Sequence, residues 1–260
     1  MIPYRGWMAT ITPTPTLAAH ESHHGTFPRL LFALNAACAW VGLLIGTYSS
    51  ALGLYDYPHP DPNLLGNNSS ALGRLIDTYS YFTILSVLLV AVIMTILAIK
   101  PSGHGRVFKV LRLDTLVMIS VTGIIFWALL AGFYTPLGID VISNVFDHTI
   151  TPVVTIVVFL LVGPRNWIRW WIIPAAIVLP LVWVLYTLVR GSFIHAYPYG
   201  FLSVSNWGLP SVLKTTLFIL LFGIFLGLIY WGIDALLGRR ARASQALVDA
   251  ASATHTHRAA

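Results

Sequence analysis

The chain has 260 residues, of which 57% are hydrophobic and only 9% charged, with a formal net charge of +6 and a mean hydropathy of +0.79. A soluble globule of this size needs roughly a quarter of its residues charged to cover its surface, so that class is excluded and an all-α, polytopic membrane protein is expected. The positive charge calls for no nucleic-acid partner, because basic residues kept in short cytoplasmic loops beside an anionic inner leaflet give the same balance.

Residues 1–27 lack hydrophobic periodicity, and Thr12-Pro13-Thr14-Pro15-Thr16 favours extended, unpacked chain. They read as a flexible cytoplasmic tail, without the basic start, apolar core and cleavage site of a signal peptide. His20, His23 and His24 on this tail have no carboxylate framework, so no metal site is expected there. A spanning helix needs about 20 mainly apolar residues. Six segments meet that length: Pro28–Leu52, Leu75–Ile99, Leu113–Tyr134, Val141–Val162, Trp167–Val189 and Val212–Leu237. Cys38, mid-span in the first, is the single cysteine, which excludes disulfides within the chain and thiolate metal sites. The transmembrane domain is therefore expected over 28–237, with a second flexible cytoplasmic tail over 238–260.

Orientation follows from the basic residues. Lys100, Arg106, Lys109 and Arg112 fall in one connection, Arg165 and Arg169 in another, and Arg239, Arg240 and Arg242 beyond the last span. Short loops retain such charge on the cytoplasmic side. The 53–74 loop, acidic until Arg74, and the 135–140 turn then lie outside, and both termini lie inside.

In the fourth expected span, Asn144, His148, Thr151 and Thr155 recur at i, i+4, i+7 and i+11, which places them on one helix face. Ionisable groups at such depth are costly and mark functional sites by default. Pro152 has no N–H for the His148 carbonyl, so a kink beside the histidine is expected. In the second span Tyr79, Thr83 and Ser86 form a facing stripe, with Ser80 beside Thr83. Counting 1.5 Å per residue from Asp77 and Val141 puts Thr83 and His148 level, roughly 10 Å below the outer interface. If the two side chains touch, the imidazole can take the proton of the hydroxyl, the activation that a weakly nucleophilic alcohol needs. The plain alternative is that Thr83 bonds the Tyr79 carbonyl. Tyr79, Ser80 or Asn144 could donate to an oxyanion, and Asn144 could instead orient the ring. Asp147 points about 100° away from His148 and is expected to cap or hydrate the outer end of the span. No cofactor is expected: a membrane haem needs facing in-span axial ligands, and His148 is the one histidine well inside a span.

Tyr81-Phe82-Thr83-Ile84-Leu85-Ser86, Asp147-His148-Thr149-Ile150-Thr151-Pro152 and Ala196-Tyr197-Pro198-Tyr199-Gly200-Phe201 resemble three patches of the androgen-induced and androgen-dependent TFPI-regulating family and its bacterial six-span relatives. The resemblance covers roughly residues 28–237 and departs from that family in the long 53–74 loop and in both tails. It implies an intramembrane threonine hydrolase of fatty acid esters of hydroxy fatty acids, with Thr83 as nucleophile, His148 as general base and membrane lipids as partners, in a bacterial plasma membrane. The outer connection after the fifth span is aromatic: Phe193, Tyr197, Tyr199, Phe201 and Trp207 accompany Arg190 and His195. Such residues ordinarily anchor a protein at the interface; alternatively Arg190 or His195 meets a carboxylate head group. The competing reading of the whole chain is a lipid-binding or small-solute carrier in which His148, Asp147 and Asn144 hold a proton or head group. The sequence sets no oligomeric state.

Overall fold

The computed structural model describes residues 25–54, 61–102, 104–132 and 136–258. The expected N-terminal tail lies outside the described residues up to His24. Among those described there is no β-strand, and six helical stretches are long and apolar enough to cross a membrane: Thr26–Leu52, Phe82–Ile99, Arg106–Leu130, Asp140–Val162, Trp170–Ile194 and Leu209–Ser244. The chain is a multi-pass, all-α membrane protein.

Helix α1 (Thr26–Leu52) buries Ala36, Ala39, Gly42, Gly46 and Ser50, small residues at near-helical spacing that allow close packing without large side chains. It ends at Gly53, whose φ of +67° places it in the left-handed region. The Leu54 N–H then reaches back to the Ser49 carbonyl at 2.9 Å, closing the helix end.

The second span departs from expectation. Residues 71–81 do not continue it: α2 (Ala71–Thr78) is a separate short helix capped by the Ser70 hydroxyl, which accepts from the Gly73 N–H at 3.0 Å. A turn over residues 79–81 follows, and α3 (Phe82–Ile99) starts afresh. Asp77-Thr78-Tyr79-Ser80-Tyr81 is a run of weak helix formers. The break is stabilised from outside, because the Trp183 indole N–H donates to the Ser80 carbonyl at 2.9 Å.

Helix α4 (Arg106–Ile125) begins earlier than Leu113, so Arg112 and Asp114 lie buried within it, and it widens into a π turn over Phe126–Leu130. The fourth span is α5 (Asp140–Val145), a π turn (Phe146–Ile150) and α6 (Thr151–Val162). The kink expected at Pro152 is thus an inserted wide turn, closed by the Thr151 N–H on the Phe146 carbonyl, as occurs at functional positions in helices. The fifth span starts as two 3-10 turns, Trp170–Ile172 and Ala175–Ile177, before α7 (Val178–Ile194). Pro174 cannot donate to the Trp170 carbonyl; the Ile173 N–H takes it instead at 3.2 Å. After a 3-10 turn over Gly200–Leu202 and α8 (Val204–Trp207), α9 (Leu209–Arg258) runs past the expected end at Leu237. Residues 238–258 are therefore helical rather than irregular.

Two apolar cores hold the bundle. One, around Phe32, Val87, Met94, Ile119 and Val158, joins α1, α3, α4 and α6. The other, around Leu113, Leu116, Phe159, Ile172 and Leu226, joins α4, α6, the 3-10 half-span and α9. The start of α3 and the π turn of the fourth span come together, and the 195–203 connection joins them through Tyr199.

Candidate functional site

The α2–α3 break puts Thr83 at the second residue of α3, where the first N–H groups of a helix have no partner in the helix itself. The Thr83 N–H donates to the Tyr199 hydroxyl at 3.2 Å, and the Thr83 Oγ1 lies 3.2 Å from the same hydroxyl. His148, in the π turn of the fourth span, brings Nε2 to 3.3 Å from Thr83 Oγ1. Its Nδ1 stands 3.2 Å from the Asn144 carbonyl oxygen and 3.2 Å from the Asn144 carboxamide nitrogen. The carbonyl only accepts and favours the tautomer with the proton on Nδ1 and the lone pair on Nε2, facing the hydroxyl, whereas the carboxamide nitrogen only donates and favours the opposite one. The Phe126 ring stacks on the imidazole at 3.8 Å and 20°. Gly123 permits this approach: a Cβ there would come within 3.1 Å of Pro152.

Tyr199 is held as firmly. Its ring meets Tyr81 edge to face at 5.4 Å and stacks on Phe201 at 5.3 Å. Burial raises its phenol above the ordinary pKa of about 10, against a smaller lowering by its hydrogen bonds to Thr83, so it remains a protonated donor. Chemically, the arrangement offers a hydroxyl flanked by a proton acceptor and a proton donor at the positive end of a helix dipole.

Two spaces meet at Thr83, His148 and Tyr199. A chamber of about 1120 Å³ is bounded by α1, α5, the 61–81 segment and the 195–207 connection. A slot of about 90 Å³ runs from the trio between α4, α7 and α9 and is lined mostly by apolar side chains, among them Leu113, Val117, Ile173 and Ile224.

Of the residues singled out from sequence, Thr83, His148 and Asn144 come together; the others do not. Thr83 does not bond the Tyr79 carbonyl, since no helix joins the two. Tyr79 is half exposed and shares a hydrogen bond with Thr47 at 2.9 Å. Ser80 donates to the Ile76 carbonyl at 2.6 Å and meets the Tyr186 hydroxyl at 2.8 Å. Neither is placed to serve an oxyanion at Thr83. Ser86 bonds its own helix through the Phe82 carbonyl and accepts from Thr122. The extra residue of the π turn rotates the stripe below it: Thr155 donates to Asn35 of α1 at 3.1 Å, and Thr151 is buried away from both cavities. Arg190 pairs with Asp77 at 2.5 Å. His195 ends α7 in the left-handed region with φ +54° and lines neither cavity. Tyr197 is buried against Gly191, where any Cβ would overlap its ring. Asp147 neither caps nor hydrates the span end; it is 4% exposed, with its carboxyl packed against Gly42 of α1.

Tyr199 is the residue to which the sequence assigns no role of its own, although it stands in the interfacial aromatic set and in the third of the resembling segments. No family model matches the chain, and comparison with curated proteins and with solved structures gives no match.

Proposed function

We propose that the protein is a cofactor-independent intramembrane hydrolase of lipid esters, with Thr83 as nucleophile and His148 as general base. The observation that carries this reading is the Thr83 Oγ1 to His148 Nε2 approach of 3.3 Å, with Nδ1 held on the Asn144 carbonyl so that Nε2 is free to accept. A base within hydrogen-bond reach of the hydroxyl is the geometric requirement for activating it. The resemblance of the 81–86, 147–152 and 196–201 segments to the androgen-induced and androgen-dependent TFPI-regulating family agrees in the same two residues.

In the proposed reaction Nε2 takes the hydroxyl proton as Oγ1 bonds to the ester carbonyl carbon. The negative charge that develops on the carbonyl oxygen is met by the Tyr199 O–H and by the α3 N-terminus. Nε2 then gives the proton to the departing alkoxide as its C–O bond breaks, leaving an acyl-threonine. A water, giving a proton to Nε2, attacks this ester; Thr83 leaves and recovers the proton. Removing one oxyanion donor typically costs 10²–10³-fold in kcat, which sets the scale for Tyr199.

Basic connections on the opposite end of the molecule orient the chamber toward the outside of a plasma membrane. The test is turnover of a long-chain ester by purified full-length protein. Thr83→Ala and His148→Ala are expected to abolish hydrolysis while the thermal transition is kept; unchanged turnover in either variant overturns the assignment.

A further inference from the structure

We propose that the ester cleaved here joins a long acyl chain to a non-anionic alcohol, a polyol or a cationic alcohol rather than one bearing a free carboxylate. This deepens the hydrolase reading and rests on it. The two spaces that meet at Thr83 are unequal, about 90 Å³ against about 1120 Å³, so a bulky polar group fits only the chamber. The slot follows α4 from Phe126 to Leu113, about 20 Å at 1.5 Å per residue, the length of an extended long acyl chain. Along that path its lining offers only the Thr122 and Thr216 hydroxyls and no charged side chain. With the acyl carbonyl at Thr83 and its chain in the slot, the alcohol portion lies in the chamber.

The chamber wall carries four carboxyl groups, Asp61, Asp77, Asp140 and Asp147, against a single guanidinium among the described residues, Arg74; Asp61 accepts from Asn63 and Asn206, Asp77 from Asn68 and Arg190, and Asp140 from Ser143, so that of these donors only Arg190 is charged. That guanidinium is committed to the end of α1 and its neighbour: Nε donates to the Ser50 carbonyl at 2.8 Å, Nη2 to Ala51 at 2.8 Å and Nη1 to Ser69 at 2.5 Å. Arg190 stands behind the wall on Asp77. Asp147, 4% exposed, receives no hydrogen bond at Oδ1 from any described residue. An entering carboxylate therefore meets like charge and, among the described residues, no uncommitted cationic donor, whereas hydroxyls or a cation meet carboxylate oxygens, each of which can accept a further hydrogen bond.

The experiment compares four esters sharing one palmitoyl chain on the purified full chain in neutral-lipid nanodiscs: palmitoylglycerol, palmitoylcholine, the palmitic ester of hydroxystearic acid, and the methyl ester of that last compound. Expected is a kcat/KM at least about tenfold higher for the glyceryl, choline or methylated compound than for the free acid, since like-charge contacts cost several kcal/mol at a recognition surface. Thr215→Lys, which adds a cation to the chamber wall on α9, is expected to raise turnover of the free acid selectively. Equal rates on all four, or preference for the free acid, overturns this inference while leaving the hydrolase reading intact. No turnover of any of them overturns the hydrolase reading itself.

Discussion

A threonine hydroxyl is a poor nucleophile in water, so the role proposed for Thr83 depends on three neighbours: an imidazole lone pair, a phenol and a helix N-terminus. Each makes a separate prediction. Thr83→Ser keeps Oγ and is expected to retain measurable turnover, whereas Thr83→Ala loses it. Tyr199→Phe is expected to lower kcat about 10²-fold with little change in KM, since the phenol meets charge that exists only in the transition state. Because burial raises the Tyr199 pKa above its ordinary value, its donor proton stays on up to about pH 10; a pH–rate profile with an alkaline limb near pH 8 that disappears in Tyr199→Phe would contradict this. Asn144→Ala removes the carboxamide but leaves the backbone carbonyl on Nδ1, so a loss under tenfold in kcat/KM is expected. Thr83, His148 and Asn144 were legible in the sequence because polar groups within an apolar span demand a reason. Tyr199 was not: it lies 116 residues from Thr83, in a segment whose aromatic content is ordinary for a membrane interface.

The pairing is produced at the scale of elements by two irregularities, the α2–α3 break and the π turn before Pro152. Hydropathy counting merged residues 75–99 into one span because Leu75, Ile76 and the apolar run from Phe82 outweigh the weak helix formers between them. Tertiary contacts decide the matter: Trp183 on the Ser80 carbonyl and Arg190 on Asp77 tie the break to α7. Trp183→Phe leaves that carbonyl without its donor and is expected to lower stability by about 1–3 kcal/mol, read as a lower Tm in detergent; an unchanged Tm would show that the break holds without the indole. The π turn was half legible. Pro152 announced a disturbance, but the rotation that brings Thr155 to Asn35 of α1 and the close packing of α4 at Gly123 against Pro152 belong to the tertiary structure. Gly191→Ala offers a test of the 195–203 connection, since the new Cβ would overlap the Tyr197 ring two residues from Tyr199. It is expected to reduce kcat/KM about tenfold or more through misplacement alone, although position 191 lines neither cavity.

For the whole molecule, six apolar stretches and an all-α bundle were readable from composition and segment length, because lipid admits few other solutions. The cavities were not, since they depend on how α4, the broken fifth span and α9 lean together. The proposed orientation is open to labelling: in a Cys38→Ser background, a membrane-impermeant maleimide on intact cells is expected to modify Ser69→Cys and to reach Ser102→Cys only after lysis. The reverse pattern would place the chamber on the cytoplasmic side. The central claim is that Thr83 forms a covalent bond in turnover. Detergent-solubilised protein treated with a fluorophosphonate, digested and mapped by peptide mass spectrometry, is predicted to carry the phosphonyl group on Thr83, with labelling lost in both Thr83→Ala and His148→Ala. Labelling that persists equally in wild type and both variants, or an adduct mapped to any other residue, would contradict it.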